Sequence, residues 1–164
     1  MKALFLDVDG VITHQHYANK EREGLDPKKI KLVARIVKDT GAFVVLSSSW
    51  RLSYDQKTEK KDWDYVLLEK CLGDEGVSIY DITTRIPFSD TIPWRRTRPL
   101  EILDWIVEHK VNSFAILDDD EWDFARYGLD EHWVQTSSEF GISVKDAIIA
   151  QYKIDNIFFR EDWN

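Results

Sequence analysis

Short apolar runs alternate with segments of helical periodicity along this chain. The runs 3–6 and 42–46 are apolar throughout, which predicts buried strands covered on both faces. The later segments 77–83, 113–117 and 133–135 also predict strands. Strands that alternate with helices indicate an α/β fold with a mostly parallel sheet and right-handed crossovers.

Helix signals separate these strands. Asp26 and Pro27 supply an N-cap and a first-turn proline, and apolar residues then recur at helical spacing until Thr40 and Gly41 end the helix. Three more helices are predicted, at 65–72, from Pro99 onwards and from Ser143 to Ala150. The helix after Pro99 is expected to face the core through Leu103, Ile106 and Val107.

The other segments are polar or irregular. Residues 13–24 predict a loop or flap. His14 and His16 in this segment lack a third metal ligand in view, so they are interpreted as solvated loop residues rather than as a metal site. Residues 52–61 predict a second helix or a surface loop, and residues 85–97 predict irregular structure.

Chemically active side chains follow three of the predicted strands. Asp7 and Asp9 end the first strand on the same side, Ser47 follows the second, and Asp118 and Asp119 follow the fourth. The first pair alone would also fit a solvated turn. Because ligands of parallel sheets bind beyond the carboxyl ends of the strands, however, the coincidence of three such ends favours one shared site.

The chemistry of that edge suits a metal and a phosphate. Three or four carboxylates favour a hard cation with oxygen ligands, with Mg²⁺ as the first choice. Ser47 can hydrogen-bond a phosphate, and Arg98, expected at the start of a helix, can neutralise its charge. Arg95 and Arg96 are rival cations for the same role. Together these groups supply what phosphoryl transfer requires: positioning and charge neutralisation.

The motifs and their order resemble a known superfamily. Asp7-Val8-Asp9-Gly10-Val11 is similar to the first motif of the haloacid dehalogenase (HAD) superfamily, whose members are mostly phosphatases. Ser47, Arg98 and Asp118-Asp119 match the second, third and fourth motifs. More narrowly, the stretch 46–51 together with Arg98 resembles the subgroup named for RNA-repair phosphatase domains. The resemblance implies a Rossmann-like three-layer α/β/α sandwich with a mostly parallel sheet of about five strands.

The resemblance also implies a role for each acid. Asp7 would attack phosphorus to form an aspartyl-phosphate, and Asp9 would protonate the leaving oxygen and then deprotonate water. The Asp7 carboxylate, the Asp9 backbone carbonyl and one of Asp118 or Asp119 would hold Mg²⁺. The sequence leaves the last choice open. Asp119 is preferred, and Asp118 is assigned to the metal waters or to Arg98.

The segment 94–98 is the one dense basic cluster and adjoins the expected site. A tryptophan among arginines can stack a base and hold phosphates, which indicates a nucleotide or a nucleic-acid end as substrate. The predicted substrate contacts are Ser47, Ser48, Trp94, Arg96 and Arg98. Local packing is an equal alternative for Trp94 and the favoured one for Trp50 and Trp122. Two tryptophans are expected in the core, Trp105 and Trp133.

The spacing of the motifs leaves no room for a full cap domain of the kind that selects substrates in many members of the superfamily. An open site is therefore expected, and open sites admit bulky or polymeric substrates. A phosphatase of sugar or metabolite phosphates is the main alternative. A phospho-accepting receiver domain is disfavoured because the acid pairs come in the wrong order, and a catalytically dead module because Asp7 and Asp9 are both present.

Composition limits the compartment and the partners. The chain of 164 residues is 43% hydrophobic, and one domain over 1–164 is expected. Its net charge of −8 gives no global attraction for nucleic acid or an anionic membrane, so an anionic substrate needs a local basic patch or a metal.

One cysteine, Cys71, excludes an intrachain disulfide, and no run is long enough for a signal peptide or membrane span. A cytoplasmic protein is expected. The oligomeric state stays open, and the aromatic tail 157–163 is expected to dock on the body or on a second subunit.

Overall fold

The computed structural model describes residues 1–18 and 24–155. Its strands are β1 (Lys2–Leu6), β2 (Phe43–Leu46), β3 (Tyr54–Asp55), β4 (Lys60–Lys61), β5 (Ile79–Ile82), β6 (Ser113–Asp118) and β7 (Trp133–Gln135). Its helices are α1 (Gln15–Ala18), α2 (Pro27–Thr40), α3 (Trp63–Asp74), α4 (Trp94–His109) and α5 (Val144–Asp155). Short 3₁₀ turns cover Ser49–Ser53, Phe124–Tyr127 and Asp130–His132.

Five parallel strands form the central sheet, in the order β5-β2-β1-β6-β7. The central strand β1 is buried from Ala3 to Leu6 because a neighbour lies on each edge and a helix layer on each face. The register aligns Leu6 with Leu46 of β2 and with Leu117 of β6. The predicted parallel Rossmann-like sheet is confirmed.

Two apolar layers sandwich the sheet. On one face α2, α3 and α5 pack against alternate strand residues such as Leu4 and Leu6. On the other face α4 and the two later 3₁₀ turns pack against Ala3 and Phe5. Trp105 and Trp133 lie in or against this second layer, as predicted. Successive β1 residues therefore serve opposite cores, as the alternation of strand side chains requires.

The local signals at α2 and α5 act as predicted. Asp26 accepts a hydrogen bond from the Lys28 backbone N–H at 2.9 Å, and Gly41 ends α2 with a φ of 69°. Ser143 accepts from the Asp146 backbone N–H at 3.1 Å, and α5 then continues to Asp155, beyond the predicted end at Ala150.

The start of α4 differs from the prediction. The helix begins at Trp94, so Pro99 lies inside it and Arg98 is in its second turn rather than at its start. A proline inside a helix has no N–H for the carbonyl four residues earlier. That carbonyl, of Arg95, accepts instead from the Asp123 backbone N–H at 3.0 Å. The bond joins α4 to the loop that follows β6.

Three further expectations need correction. Residues 52–61 form the end of a 3₁₀ turn and the β3–β4 hairpin, neither a helix nor a plain loop. Val107 is 75% exposed, and Ile102 and Trp105 form the buried stripe of α4 in its place. Part of the expected loop 13–24 is the short helix α1. The tail 157–163 lies outside the described residues.

The described segments between the sheet strands hold only the helices, turns and small hairpin already named, with no second domain over the carboxyl edge. This agrees with the expectation of a minimal cap. Within the same residues, no helix is both long and apolar enough to cross a membrane.

Candidate active site

The carboxyl ends of the central strands meet where the strand order reverses, between β1 and β6. Backbone hydrogen bonds continue the ladder one residue past the strands. Asp7 donates its N–H to Leu117 at 3.0 Å, and Ser47 donates to Leu6 at 2.8 Å. The parallel register therefore sets Asp7, Ser47 and the strand end at Asp118 side by side, as the sequence predicts.

Three acids converge at this edge. Carboxylate oxygens of Asp7, Asp118 and Asp119 lie within 4.8 Å of one another. Asp9 does not join them through its side chain. It is exposed and accepts a hydrogen bond from Trp50 Nε1 at 3.1 Å. Desolvation and the Asp7 charge raise the pKa of Asp9, and the Trp50 bond opposes that rise.

Asp118 is the most deeply enclosed acid, with 1% of its surface exposed. Its Oδ1 accepts from the Asp120 backbone N–H at 3.0 Å and from Trp122 Nε1 at 3.1 Å. Its Oδ2 accepts from Arg98 Nη1 at 3.0 Å. Burial raises the pKa of Asp118, and the Arg98 charge opposes that rise. Both carboxylate oxygens are thus committed to protein donors.

Arg98 links the strand ends. Its Nη1 donates to the Ser47 backbone carbonyl and to Asp118, and lies 3.6 Å from Asp7 Oδ1. Its guanidinium also stacks on the Trp122 ring at 4.9 Å from the centroid. Arg98 is only 7% exposed, so the cation is held in the centre of the site.

Asp119 lies nearer the surface, directly over Gly10. Gly10 has a φ of +70°, and a Cβ added there would lie 2.1 Å from the Asp119 Cγ. Glycine is therefore required both for the backbone conformation and for the close approach of the carboxylate. Burial and the Asp120 and Asp7 charges raise the pKa of Asp119 to about 6. This acid needs a cation more than Asp118 does, because Arg98 already pairs with Asp118.

The family model described as the HAD domain in Swiss Army Knife RNA repair proteins matches residues 3–147. The chain belongs to this family. No curated protein and no solved structure matches it significantly. Family membership indicates a phosphatase-type hydrolase, and HAD proteins generally use Mg²⁺. The hard oxygen donors of the acid cluster fit such a cation.

Ser47 and Ser48, the first two of three consecutive serines after β2, have different surroundings. Ser47 is 2% exposed, and its hydroxyl has no hydrogen-bond partner among the described residues. Ser48 is fully buried, and its hydroxyl caps the next turn by accepting from the Trp50 N–H at 3.4 Å. Ser48 therefore stabilises the turn, whereas the Ser47 hydroxyl has no role of this kind among the described residues.

Among the rival arginines of the HAD domain, only Arg98 reaches the acids. Arg96 donates to Asp123 at 3.3 Å, and Arg95 lies over the Trp94 ring at 5.5 Å from the centroid. Trp94 is 53% exposed and meets Trp122 edge to face, with the ring centroids 5.1 Å apart. Trp94 and Arg96 therefore form the outer rim, one layer away from the acids.

Sequence reasoning missed two supports of the HAD site. Arg51 and Glu101 form a buried ion pair at 2.7 Å, and Arg51 also donates to the Ser48 carbonyl at 2.6 Å. The sequence favours local packing for Trp122, yet its Nε1 donates to Asp118 and its ring stacks on Arg98. An arginine three residues after Ser48 and a tryptophan four after Asp118 were visible signals, but their partners lie far away in sequence.

Proposed function

We propose that this HAD domain is a Mg²⁺-dependent phosphatase that acts through an aspartyl-phosphate on a nucleotide or nucleic-acid terminal phosphate. The proposal rests on one juxtaposition. An acid cluster, a buried arginine and an unpartnered serine hydroxyl meet at the switch point of the sheet. A phosphate bound there would face a nucleophile, a cation and a hydrogen-bond donor at once.

Asp7 is the proposed nucleophile. One of its carboxylate oxygens forms a bond to phosphorus as the ester P–O bond breaks, which divides one displacement into two. Asp9 supplies the proton for the leaving oxygen and later takes one from the water that attacks the phospho-aspartate. Burial and the Asp7 charge raise the pKa of Asp9, which shifts the carboxyl toward the protonated form used in the first of these steps.

Asp7, Asp119 and the Asp9 backbone carbonyl are the proposed metal ligands. Asp118 is assigned to Arg98, because both of its oxygens already accept hydrogen bonds from the protein. Mg²⁺ held by these groups would neutralise charge on the phosphate. Ser47 Oγ and Arg98 are the proposed phosphate contacts, and Trp94 and Arg96 extend the contact surface at the rim.

The deciding experiment is phosphate release from a substrate panel. The panel contains 3′- and 5′-phosphorylated oligonucleotides, mononucleotides and sugar phosphates, each with Mg²⁺ and with EDTA. Release that requires Mg²⁺ and is fastest with nucleic-acid ends or nucleotides is expected. If sugar phosphates release phosphate fastest, they are the substrates instead of nucleotides or nucleic-acid ends. No release from any compound would refute the phosphatase.

A glycine pair tests whether Asp119 is a metal ligand. Gly10→Ala and Gly128→Ala both place a side chain at positive φ, +70° and +67°, but only Gly10 lies against Asp119. The positive φ is expected to lower the free energy of unfolding of each variant by about 1 kcal/mol, and the clash with Asp119 adds to that loss in Gly10→Ala. Only Gly10→Ala should also raise the Mg²⁺ concentration for half-maximal activity, by about tenfold or more, because Asp119 must move away. Equal Mg²⁺ dependence in the two variants would contradict the assignment.

A further inference from the structure

Two clefts lie on the side of β2 and β5, and the first reaches the acid cluster through Arg98. The first, of about 180 Å³, is lined by Arg98, Phe88 and Trp122 among others. The second, of about 460 Å³, extends to the β3–β4 hairpin. Both clefts are lined by Arg51, Leu52 and Arg85, so they are adjoining parts of one surface feature. It is called the basic groove below.

Positive charge is concentrated in the basic groove although the chain as a whole carries −8. Arg98, Arg51, Arg85 and Lys57 line it in turn from the acid cluster to the hairpin. Neither Arg85 nor Lys57 forms an ion pair within the described part of the chain. Two acids also line the groove: Glu101, which pairs with Arg51 at 2.7 Å, and Asp55, which accepts from Thr58 at 2.7 Å and keeps its charge. Four cations thus stand against two acids. The groove therefore presents a net positive lining to a ligand.

Buried polar atoms in the groove lack partners. Arg51 is 6% exposed and Thr83 1% exposed, yet Arg51 Nε and Thr83 Oγ1 make no hydrogen bond to any described residue. Thr83 follows β5 as Ser47 follows β2, and its N–H continues the ladder to Leu46 at 3.1 Å. Unpartnered buried polar atoms are costly, and these two lie beneath the wall of the groove rather than on its open surface.

The cations of the groove also act on one another. Burial lowers the pKa of Arg51, the Glu101 charge opposes this, and the Arg98 and Arg85 charges lower it further. Glu101 and Asp118 offset part of the repulsion among the three guanidinium groups, and Arg85 has no such partner among the described residues. A ligand with several negative charges spaced along its length would relieve that repulsion at more than one point.

Aromatic faces accompany the charges. Phe88 is 70% exposed, and Trp122 is partly exposed beside Arg98. At the far end Tyr54 is held by stacking on Tyr65, with the ring centroids 4.7 Å apart. Cations that track a phosphate backbone, interleaved with aromatic faces, are the means by which proteins bind single-stranded nucleic acid.

We propose that the basic groove binds a single-stranded polynucleotide whose terminal phosphate lies in the acid cluster. The inference rests on the proposed phosphatase and narrows its substrate to a nucleic-acid end. Arg85 and Lys57 contact internal phosphates, and bases stack on Phe88 and Trp122. A mononucleotide reaches only the first cleft and gains none of the hairpin contacts.

Kinetics on two substrates test the groove. Arg85→Ala and Lys57→Ala are each expected to lower kcat/KM for a phosphorylated oligonucleotide at least fivefold more than for the mononucleotide. Lys60→Ala is the matched control, since Lys60 is on the same hairpin but pairs with Asp62 at 3.5 Å outside the groove. Lys60→Ala should leave kcat/KM unchanged for both substrates. Equal losses on both substrates, or equal effects of Lys57→Ala and Lys60→Ala, would overturn the proposal.

Binding separates the groove from the chemistry. Affinity of the Asp7→Asn variant for a fluorescent phosphorylated oligonucleotide is measured by anisotropy over a salt series. Arg85→Ala and Lys57→Ala, added to that variant, should each reduce the slope of log K against log salt by about 0.7. Poly-aspartate should compete poorly because it cannot stack. Salt-sensitive binding without phosphate release from any substrate would refute the phosphatase and keep the groove. Phosphate release without groove-dependent binding would refute the groove and keep the phosphatase. Equal binding of poly-aspartate would also refute the groove as a polynucleotide site.

Discussion

Asp7→Asn is expected to lower kcat for phosphate release by about 10⁴-fold or more. The amide is nearly isosteric with the carboxylate but is a far weaker nucleophile, so no phospho-enzyme can form. In the absence of Mg²⁺ the change also removes one of three acids whose oxygens lie within 4.8 Å. The free energy of unfolding in EDTA should therefore stay the same or rise, although Asp7 also lies 3.6 Å from Arg98.

The control for this prediction is Asp120→Asn, at an exposed acid outside the cluster. It should retain wild-type kcat within about threefold. Rapid-quench phosphate release gives the rate, and urea unfolding in EDTA gives the stability. Wild-type turnover in Asp7→Asn would show that Asp7 is not the nucleophile. A large loss of stability would show that Asp7 holds the fold instead.

Arg98→Met is expected to lower the free energy of unfolding by roughly 3–5 kcal/mol, in addition to abolishing activity. The change leaves Asp118, which is 1% exposed, without its cation. A buried charge without its partner costs far more than an exposed one. For a domain of this size, such a loss corresponds to a fall of roughly 6–20 °C in Tm, which calorimetry in EDTA measures.

Two further variants isolate the cause. Arg96→Met removes a comparable ion pair on the same helix, but Arg96 and Asp123 are 30% and 35% exposed. Its cost should be at most about 1 kcal/mol. Asp118→Asn in the Arg98→Met background removes the orphaned charge and should recover part of the stability. Equal costs for the two arginine variants, or no recovery in the double variant, would show that the Arg98–Asp118 pair does not stabilise the fold.

Short-range patterns predicted the scaffold well because they are local. The apolar runs at β1 and β2 have few alternatives to burial in a sheet, and Asp26 with Pro27 defines a helix start within two residues. The same reasoning failed at Pro99. A proline usually marks a first turn, but here the freed Arg95 carbonyl is satisfied by Asp123, which is distant in sequence.

The candidate site could also be predicted only in part. Asp7, Ser47 and the Asp118-Asp119 pair were predicted together because parallel strands bring their carboxyl ends to one edge, whereas Arg98 was preferred because a helix start was expected there. Strand order and burial could not be obtained from the motifs. The commitment of Ser48 to a turn and the partners of Trp50 and Trp122 depend on side chains that meet only after folding.

The sequence by itself determined the family, the parallel sheet and the set of groups at its edge, because strand endings and motif order are written in consecutive residues. Only the tertiary structure decided how those groups differ. It enclosed Asp118 with Arg98 and set Asp119 over Gly10. It also placed Arg51, Arg85 and Thr83 along one groove. Distances between residues far apart in the chain decide pairing, desolvation and charge repulsion, and folding alone fixes those distances.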